Sequence, residues 1–319
     1  MVLAVLCLLS VWLGSKEIPV TAVWQVLLHN DGSTDAVVIH SVRIPRTLLA
    51  VAVGAALGLA GALMQALTRN PLAEPGLLGV NAGAAFAIVF AIAVLGVSSL
   101  YSYIWFAFAG ALAASVVVYV LGARGRTEAS PVRLALAGVA ITALLSSFTS
   151  ALVLTDPVAL NRYRFWMAGS LAGPVSGSLV RVLPFLLLGV VLALASAPAL
   201  NTMALGDDTA KALGRRLGLV RVQGIVAVTL LTGSVAAVAG PIMFVGLVIP
   251  HMARFITGPD HRWLLPYSMV LAPCLVLAAD ITGRLVTRPA ETQVGIVVAL
   301  IGAPFFIALV RRRRRLAEL

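Results

Sequence analysis

The sequence predicts an all-α membrane protein built from about ten transmembrane helices. Three observations carry that expectation. First, 61% of the 319 residues are hydrophobic and only 11% are charged, with a mean hydropathy of +1.04. A soluble domain carries roughly 25% charged residues, so lipid must cover much of this surface. Second, the apolar residues gather into ten runs, most of them near the roughly 20 residues that a helix needs to cross about 30 Å of hydrocarbon. Third, arginine dominates the gaps, as 21 of the 23 basic residues. No polar stretch is long enough to form a soluble domain, so residues 1–319 read as a single transmembrane domain.

The first run is 2–14. Met1 to Gly14 is apolar but lacks the basic leader of a cleaved signal peptide. Fourteen residues make only about 21 Å of helix. This span is therefore either tilted into a thin region or continues from a start upstream. The second run, 47–66, is flanked by Arg43 and Arg46 and carries Gly54 and Gly58 one turn apart. Such small-residue pairs let helix backbones approach closely in lipid. The third run, 78–97, follows a proline-rich turn and holds Gly79 and Gly83; a further pair is Gly169 and Gly173. The fourth, 103–122, opens on Tyr101, Tyr103 and Trp105, which with Tyr163 and Trp166 suit an aromatic belt at one membrane interface. The fifth and sixth are 134–154 and 182–200. The seventh and eighth, 222–239 and 241–256, are divided by Gly240-Pro241, since proline removes a helical donor and clashes with the preceding turn. Read as one kinked helix they would reduce the count to nine. The ninth, 264–282, contains Asp280, and the tenth, 294–310, ends at Arg311–Arg315.

Charge decides orientation. With both termini inside, 15 basic residues fall in inner positions and 8 in outer ones, as the positive-inside rule requires. The inner set is Arg69, Arg124, Arg126, Arg133, Lys211, Arg215, Arg216, Arg221, Arg254, Arg262 and Arg311–Arg315. The formal charge of +11 therefore sets topology and does not point to nucleic acid. Cys7 and Cys274 lie in apolar runs and suit packing, not a disulfide or metal framework.

What the spans lack is informative. Asp280 is the only acidic residue within them, and it lies near an outer end. Ion- or proton-driven carriers keep ionisable groups at mid-membrane despite the cost, so the energy source lies elsewhere. Neither Lys16 nor Lys211 follows glycine as a Walker A loop demands, so nucleotide hydrolysis belongs to a partner chain. His251 has no second ligand at metal spacing and reads as a helix-end residue at the inner interface. Met64 and Met243 read as packing residues. No catalytic residue, cofactor or metal site is expected.

The longest inner polar segment is 201–221. Asp207 and Asp208 open a short helix, with Lys211, Arg215 and Arg216 closing it, an order that complements the helix dipole. Gly206 and Gly214 punctuate its ends. This segment is either a lever for a partner or a solvated loop. A faint repeat at an offset of 179 aligns Gly54, Ala60, Gly61, Met64, Pro71 and Gly79 with Gly233, Ala239, Gly240, Met243, Pro250 and Gly258. The copies would face opposite ways, as inverted transporter repeats do.

Several motifs carry a resemblance. RIPRTLLAVAVGAALGLAGALMQALTRNPLAEPGLLGVNAGA (43–84), FWMAGSL (165–171), LGDDTAKALG (205–214), GPIMFVGLVIPHMARF (240–255), ADITGRL (279–285) and ETQVGIVVALIGAPFF (291–306) resemble, in order, the iron-siderophore, haem and cobalamin permease family of ABC importers. The resemblance implies a type II importer permease of ten helices in the bacterial cytoplasmic membrane, not an enzyme. It implies pairing with a second permease chain, alike or different, around a central path. Two cytoplasmic ATPase subunits bind below and an extracytoplasmic solute-binding protein above. It places ATPase coupling on Leu205, Gly206, Asp207, Asp208, Ala210, Lys211, Leu213 and Gly214. Arg43, Arg46 and Arg284 fall at positions resembling the family's docking arginines. The residues themselves leave alternatives: interfacial anchoring for Arg43 and Arg46, and an i,i+4 pair with Asp280 for Arg284. An iron-siderophore chelate is the expected cargo, with haem or cobalamin as alternatives. A secondary carrier is the rival of another class.

Overall fold

A computed structural model describes residues 1–29, 32–97, 100–123, 131–172 and 177–317. Ten apolar helices form the bundle: α1 (Val2–Trp12), α4 (Ile44–Thr68), α5 (Val80–Ala93), α6 (Leu100–Ala123), α7 (Pro131–Thr155), α9 (Ser178–Ala195), α12 (Leu217–Ala239), α13 (Val245–Thr257), α14 (His261–Val286) and α15 (Val294–Ala317). Among the described residues, five shorter α-helices connect them, α2 (Val20–Leu28), α3 (Thr34–Val38), α8 (Pro157–Met167), α10 (Ala197–Ala204) and α11 (Asp207–Ala212), and a π-helical turn, Ile39–Arg43, joins α3 to α4 without a break. Nine of the ten predicted apolar runs each correspond to one apolar helix, the run 182–200 is divided at Ser196 between α9 and α10, and the break at Gly240-Pro241 is real: residues 240–244 are not helical. Six of the helices are long and apolar enough to cross a membrane unaided, and α1, α5, α13 and the described part of α15 are shorter apolar helices.

Burial differs sharply between the helices. α4 is the central helix, with 83% of its most apolar stretch buried, against 17% for α7. Glycine makes that centre possible. A Cβ on Gly54 would lie 2.5 Å from the Pro273 backbone of α14, and one on Gly58 would lie 2.4 Å from the Ser268 carbonyl oxygen. On another side of α4, a Cβ on Gly61 would lie 2.0 Å from the Gly246 carbonyl oxygen of α13. With no side chain in the way the backbones close up, and dispersion between them replaces the missing hydrophobic drive between helices in lipid. Gly83 and Gly110 play the same part between α5 and α6, each blocked by the other's carbonyl. Gly79 instead has φ 72° and serves a turn. Gly173, Arg124 and Arg126 lie outside the described residues, as do the side chains of Tyr101 and Arg312–Arg315.

Three local expectations are corrected. His251 lies in the middle of α13, not at a helix end, and is buried. Its Nε2 is 2.8 Å from the Pro71 carbonyl oxygen. The aromatic residues do not all face lipid: Tyr103 is buried with its hydroxyl donating to the Val97 carbonyl, and Trp166 donates to the Ala236 carbonyl, while Trp105 stays exposed. Arg215 and Arg216 lie beyond the end of α11, which Lys211 alone closes with positive charge. The segments aligned at the 179 offset share a plan of helix, break and shorter helix. Their residues hold different positions, however: Gly61 is inside α4, whereas Gly240 follows the last residue of α12.

Candidate functional site

Three features stand out: a charged junction at one end of the bundle, a short exposed helix at the other, and a cavity between. The junction forms where α1 meets α4 and α14. An α-helix leaves its last carbonyls without intrahelical partners. In α1 the Leu13 N–H takes up Leu9, and arginines supply the rest. Arg43 Nη1 donates to the carbonyls of Val11 (3.0 Å) and Trp12. Arg284 Nη1 donates to those of Ser10 and Leu13, both at 2.9 Å. Cations at a helix C-terminus are also favoured by its dipole. Gly14 leaves room for this approach: a Cβ there would lie 2.7 Å from Arg43 Nη2 and the guanidinium would have to shift. Arg46 Nη2 pairs with Asp280 at 2.7 Å and its Nη1 with Glu291 at 2.6 Å, while Arg284 reaches Asp280 at 3.0 Å from one turn away.

Arg43, Arg46 and Arg284 are thus only 3%, 5% and 2% exposed. Their guanidinium groups are turned into the junction: Arg46 and Arg284 share Asp280, Arg43 is held by the carbonyls of Val11, Trp12 and Lys16, and none of the three presents its charge outward. The i,i+4 pair of Arg284 with Asp280 is formed, and Arg43 and Arg46 tie the start of α4 to α1 and α14. Outside this buried core lie Lys16 on Asp35 and Arg288 on Glu17. Glu291 sits in the loop before α15. Burial pushes its carboxyl up, but the Arg46 guanidinium outweighs that and holds it below the usual glutamate range.

At the opposite end, α11 forms as its sequence requires. Gly206 takes φ 112° before it and Gly214 φ 76° after it. The Arg215 N–H returns to the Ala210 carbonyl and the Gly214 N–H to Lys211, which is a Schellman stop. The coupling residues divide by face. Ala210 is buried, and Asp207 turns inward to Arg69 (2.5 Å) and Arg221 (3.0 Å). Asp208, Lys211, Leu213 and Gly214 are exposed, as is Leu205 just before the helix. Leu205 and Leu213 are 65% and 59% exposed, two large apolar side chains within a charged loop.

Between the two ends a cavity of about 720 Å³ opens among α5, α7, α8, the 240–244 stretch and α15. Met167, Met243, Ile296 and Leu300 make it mostly apolar, and Asn81, Thr142, Ser146, Tyr163 and Glu74 supply scattered polar groups. Glu74 was not foreseen. It lies in the turn after α4, and that turn folds back into the bundle, where its Oε1 accepts the Phe244 N–H at 2.9 Å.

Comparisons with known proteins agree with this geometry. The model of the FecCD transport family matches residues 2–312. The ferric enterobactin transport system permease protein FepD of Escherichia coli is 48% identical over 307 residues, spanning 96% of this chain and 92% of that protein. The probable siderophore transport system permease protein YfiZ of Bacillus subtilis is 41% identical over 294 residues, spanning 92% and 88%. Among solved structures, one described as an inward-facing metal-chelate type ABC transporter superimposes with TM-score 0.87 at 31% identity, covering 98% of this chain and 96% of the other.

Proposed function

Since this chain belongs to the FecCD transport family, a family of ABC-importer permeases and not of enzymes, we propose that it carries an iron-siderophore-type chelate across the cytoplasmic membrane. It is a multi-pass membrane permease whose kind works with ATPase subunits, a solute-binding protein and a second permease chain. The observation that carries the reading is the 720 Å³ cavity, open and mostly apolar, walled by bundle helices, with Glu74 the one charged side chain among its described lining residues. A bulky chelate can pass such a wall by steric gating. The likeness to permeases named for ferric enterobactin and siderophore transport supports that cargo.

In this reading the α11 end and both termini are cytoplasmic, consistent with the arginine bias of the loops. Leu205, Gly206, Asp208, Lys211, Leu213 and Gly214 meet an ATPase subunit, with Asp207 and Ala210 fixing the helix from behind. Exposed apolar side chains on a polar loop are what a partner surface covers. The α1–α14 junction faces the binding protein. Arg43, Arg46 and Arg284 serve docking by holding that face in shape, and they pair with the binding protein's carboxylates only if the junction opens.

The test of cargo is uptake into proteoliposomes holding the complete importer. A labelled ferric tris-catecholate or hydroxamate should be taken up saturably, with unlabelled siderophore competing. If haem or cobalamin saturates uptake while ferric siderophores neither enter nor compete, the proposed cargo is wrong.

A further inference from the structure

Among the described residues, two that are not glycine hold a left-handed backbone: Arg69 at φ 49° and Phe244 at φ 67°. That conformation costs an L-residue about 1–2 kcal/mol and persists only where the surroundings over-determine it. Both residues are fixed by a partner from another element. Arg69 ends α4, and its Nη2 donates to the Met203 carbonyl at 2.7 Å and to Asp207 of α11 at 2.5 Å. Phe244 caps α13, and its N–H donates to Glu74 at 2.9 Å. A carboxylate there suits the positive end of a helix of 13 residues.

The two fixed points are joined by a short stretch of chain. Residues 70–73 alone separate Arg69 from Glu74, and the Pro71 carbonyl among them meets His251 of α13. The Gln65 amide of α4 reaches the Gly246 and Leu247 carbonyls at 3.3 Å each. Gly61 leaves no slack behind them. The turn and the start of α13 are therefore bound as one piece, anchored to α11 at one side. At the other side, Pro241 and Met243 wall the cavity, and the Phe244 side chain stands where a Cβ on Gly302 of α15 would be, 2.5 Å from its Cβ.

We propose that Glu74 is a positioning residue for transport, carrying displacement of the Asp207–Arg69 joint into the 241–244 wall of the cavity. The proposal rests on α11 being the ATPase contact. When α11 is pushed, Arg69 draws the turn, and the Glu74 hydrogen bond makes residues 241–244 follow. Without that bond Phe244 relaxes from its left-handed state, and the wall no longer tracks the partner.

The experiment uses the complete importer in proteoliposomes, with a ferric tris-catecholate as probe, and reads ATP consumed per chelate delivered. Glu74→Ala should raise that ratio about tenfold, the size of one lost hydrogen bond to a charged acceptor. Glu74→Gln keeps an acceptor for Phe244 and should return the ratio to within about threefold of the parent. A purely structural role would lower assembly and leave the ratio of the surviving complexes unchanged. An unchanged ratio in Glu74→Ala overturns the proposal. If Glu74→Ala does not assemble, Asp207→Asn decides: a raised ratio supports the relay and an unchanged one overturns it. Leu213→Asp tests the reading beneath. Loss of ATPase association with Leu213→Asp upholds the α11 contact, so a failure at Glu74 would then count against the relay alone. Intact association would mean that the contact itself is misplaced.

Discussion

Asp280 is the pivot of the charged junction, and its removal strands two guanidinium groups at once. Breaking a buried ion pair from one side typically costs about 3–5 kcal/mol, because the remaining charge stays desolvated. Asp280→Ala should therefore destabilise the detergent-solubilised protein by about 3 kcal/mol or more. In the double variant with Arg46→Ala the loss should be smaller than the two single losses combined. Thermal unfolding of the four proteins measures this, and additive losses would show the pairs to be independent. Glu291 gives the junction a pH response. Its folded-state pKa is depressed, so its contribution is fully present above the ordinary glutamate value of about 4.3 and is lost as pH falls through the lower folded value. Unfolding temperature should hold steady from pH 7 to about 5 and decline below about 4. Glu291→Gln should flatten that decline. The sequence shows these arginines at helix ends beside apolar runs, where exposure is the ordinary expectation. The burial of Arg43 and Arg284 depends on the open carbonyls of α1, some 30 to 270 residues away, and that of Arg46 on Asp280 and Glu291; apart from the i,i+4 pair of Arg284 with Asp280, no local pattern reports this.

At the scale of elements, glycine sets where helices may touch. Gly138 of α7 has no room, since its Cβ would lie 1.7 Å from the Leu77 carbonyl oxygen. Gly138→Ala should destabilise by about 2 kcal/mol or more, as overpacking against backbone does. Gly218, the second residue of α12, has nothing within 4 Å, and Gly218→Ala should stabilise by up to about 0.5 kcal/mol, the low end of the helix-interior difference. Chemical or thermal denaturation of both variants checks the contrast, and equal effects would contradict it. The ten apolar helices were legible because lipid imposes both their length and their composition. The short α11 was legible through Gly206, Gly214 and the order of its charges. The turn after α4, Asn70 to Gly79, resembles the family's and reads as a place of tight helix packing, but the part played by Glu74 within it was not legible. Asn70, Pro71, Ala73, Glu74 and Pro75 read as a loop, with no period to mark a face. What draws that turn into the bundle is the Phe244 N–H and His251, both contributed by α13 some 170 residues later. His251 was misplaced for the same reason.

For the whole molecule, the central claim is that a lipid-covered bundle without an energy source of its own moves cargo by strokes delivered at α11. Glu74, whose Oε1 accepts the Phe244 N–H, also lines the cavity, so the ATP and ionophore dependence of uptake decides between a positioning role and ion coupling. The family and the class of function were legible because the motifs span most of the chain. The cavity wall was not, because it is assembled from α5, α7, α8, α15 and the 240–244 stretch, which no single window of sequence brings together. The most direct measurement is uptake of a labelled ferric siderophore by proteoliposomes containing this chain, its ATPase subunits and its binding protein, with and without ATP and with an ionophore. Uptake that requires hydrolysable ATP and ignores the ionophore is the predicted result. Uptake that continues without ATP and collapses with the ionophore would contradict the account.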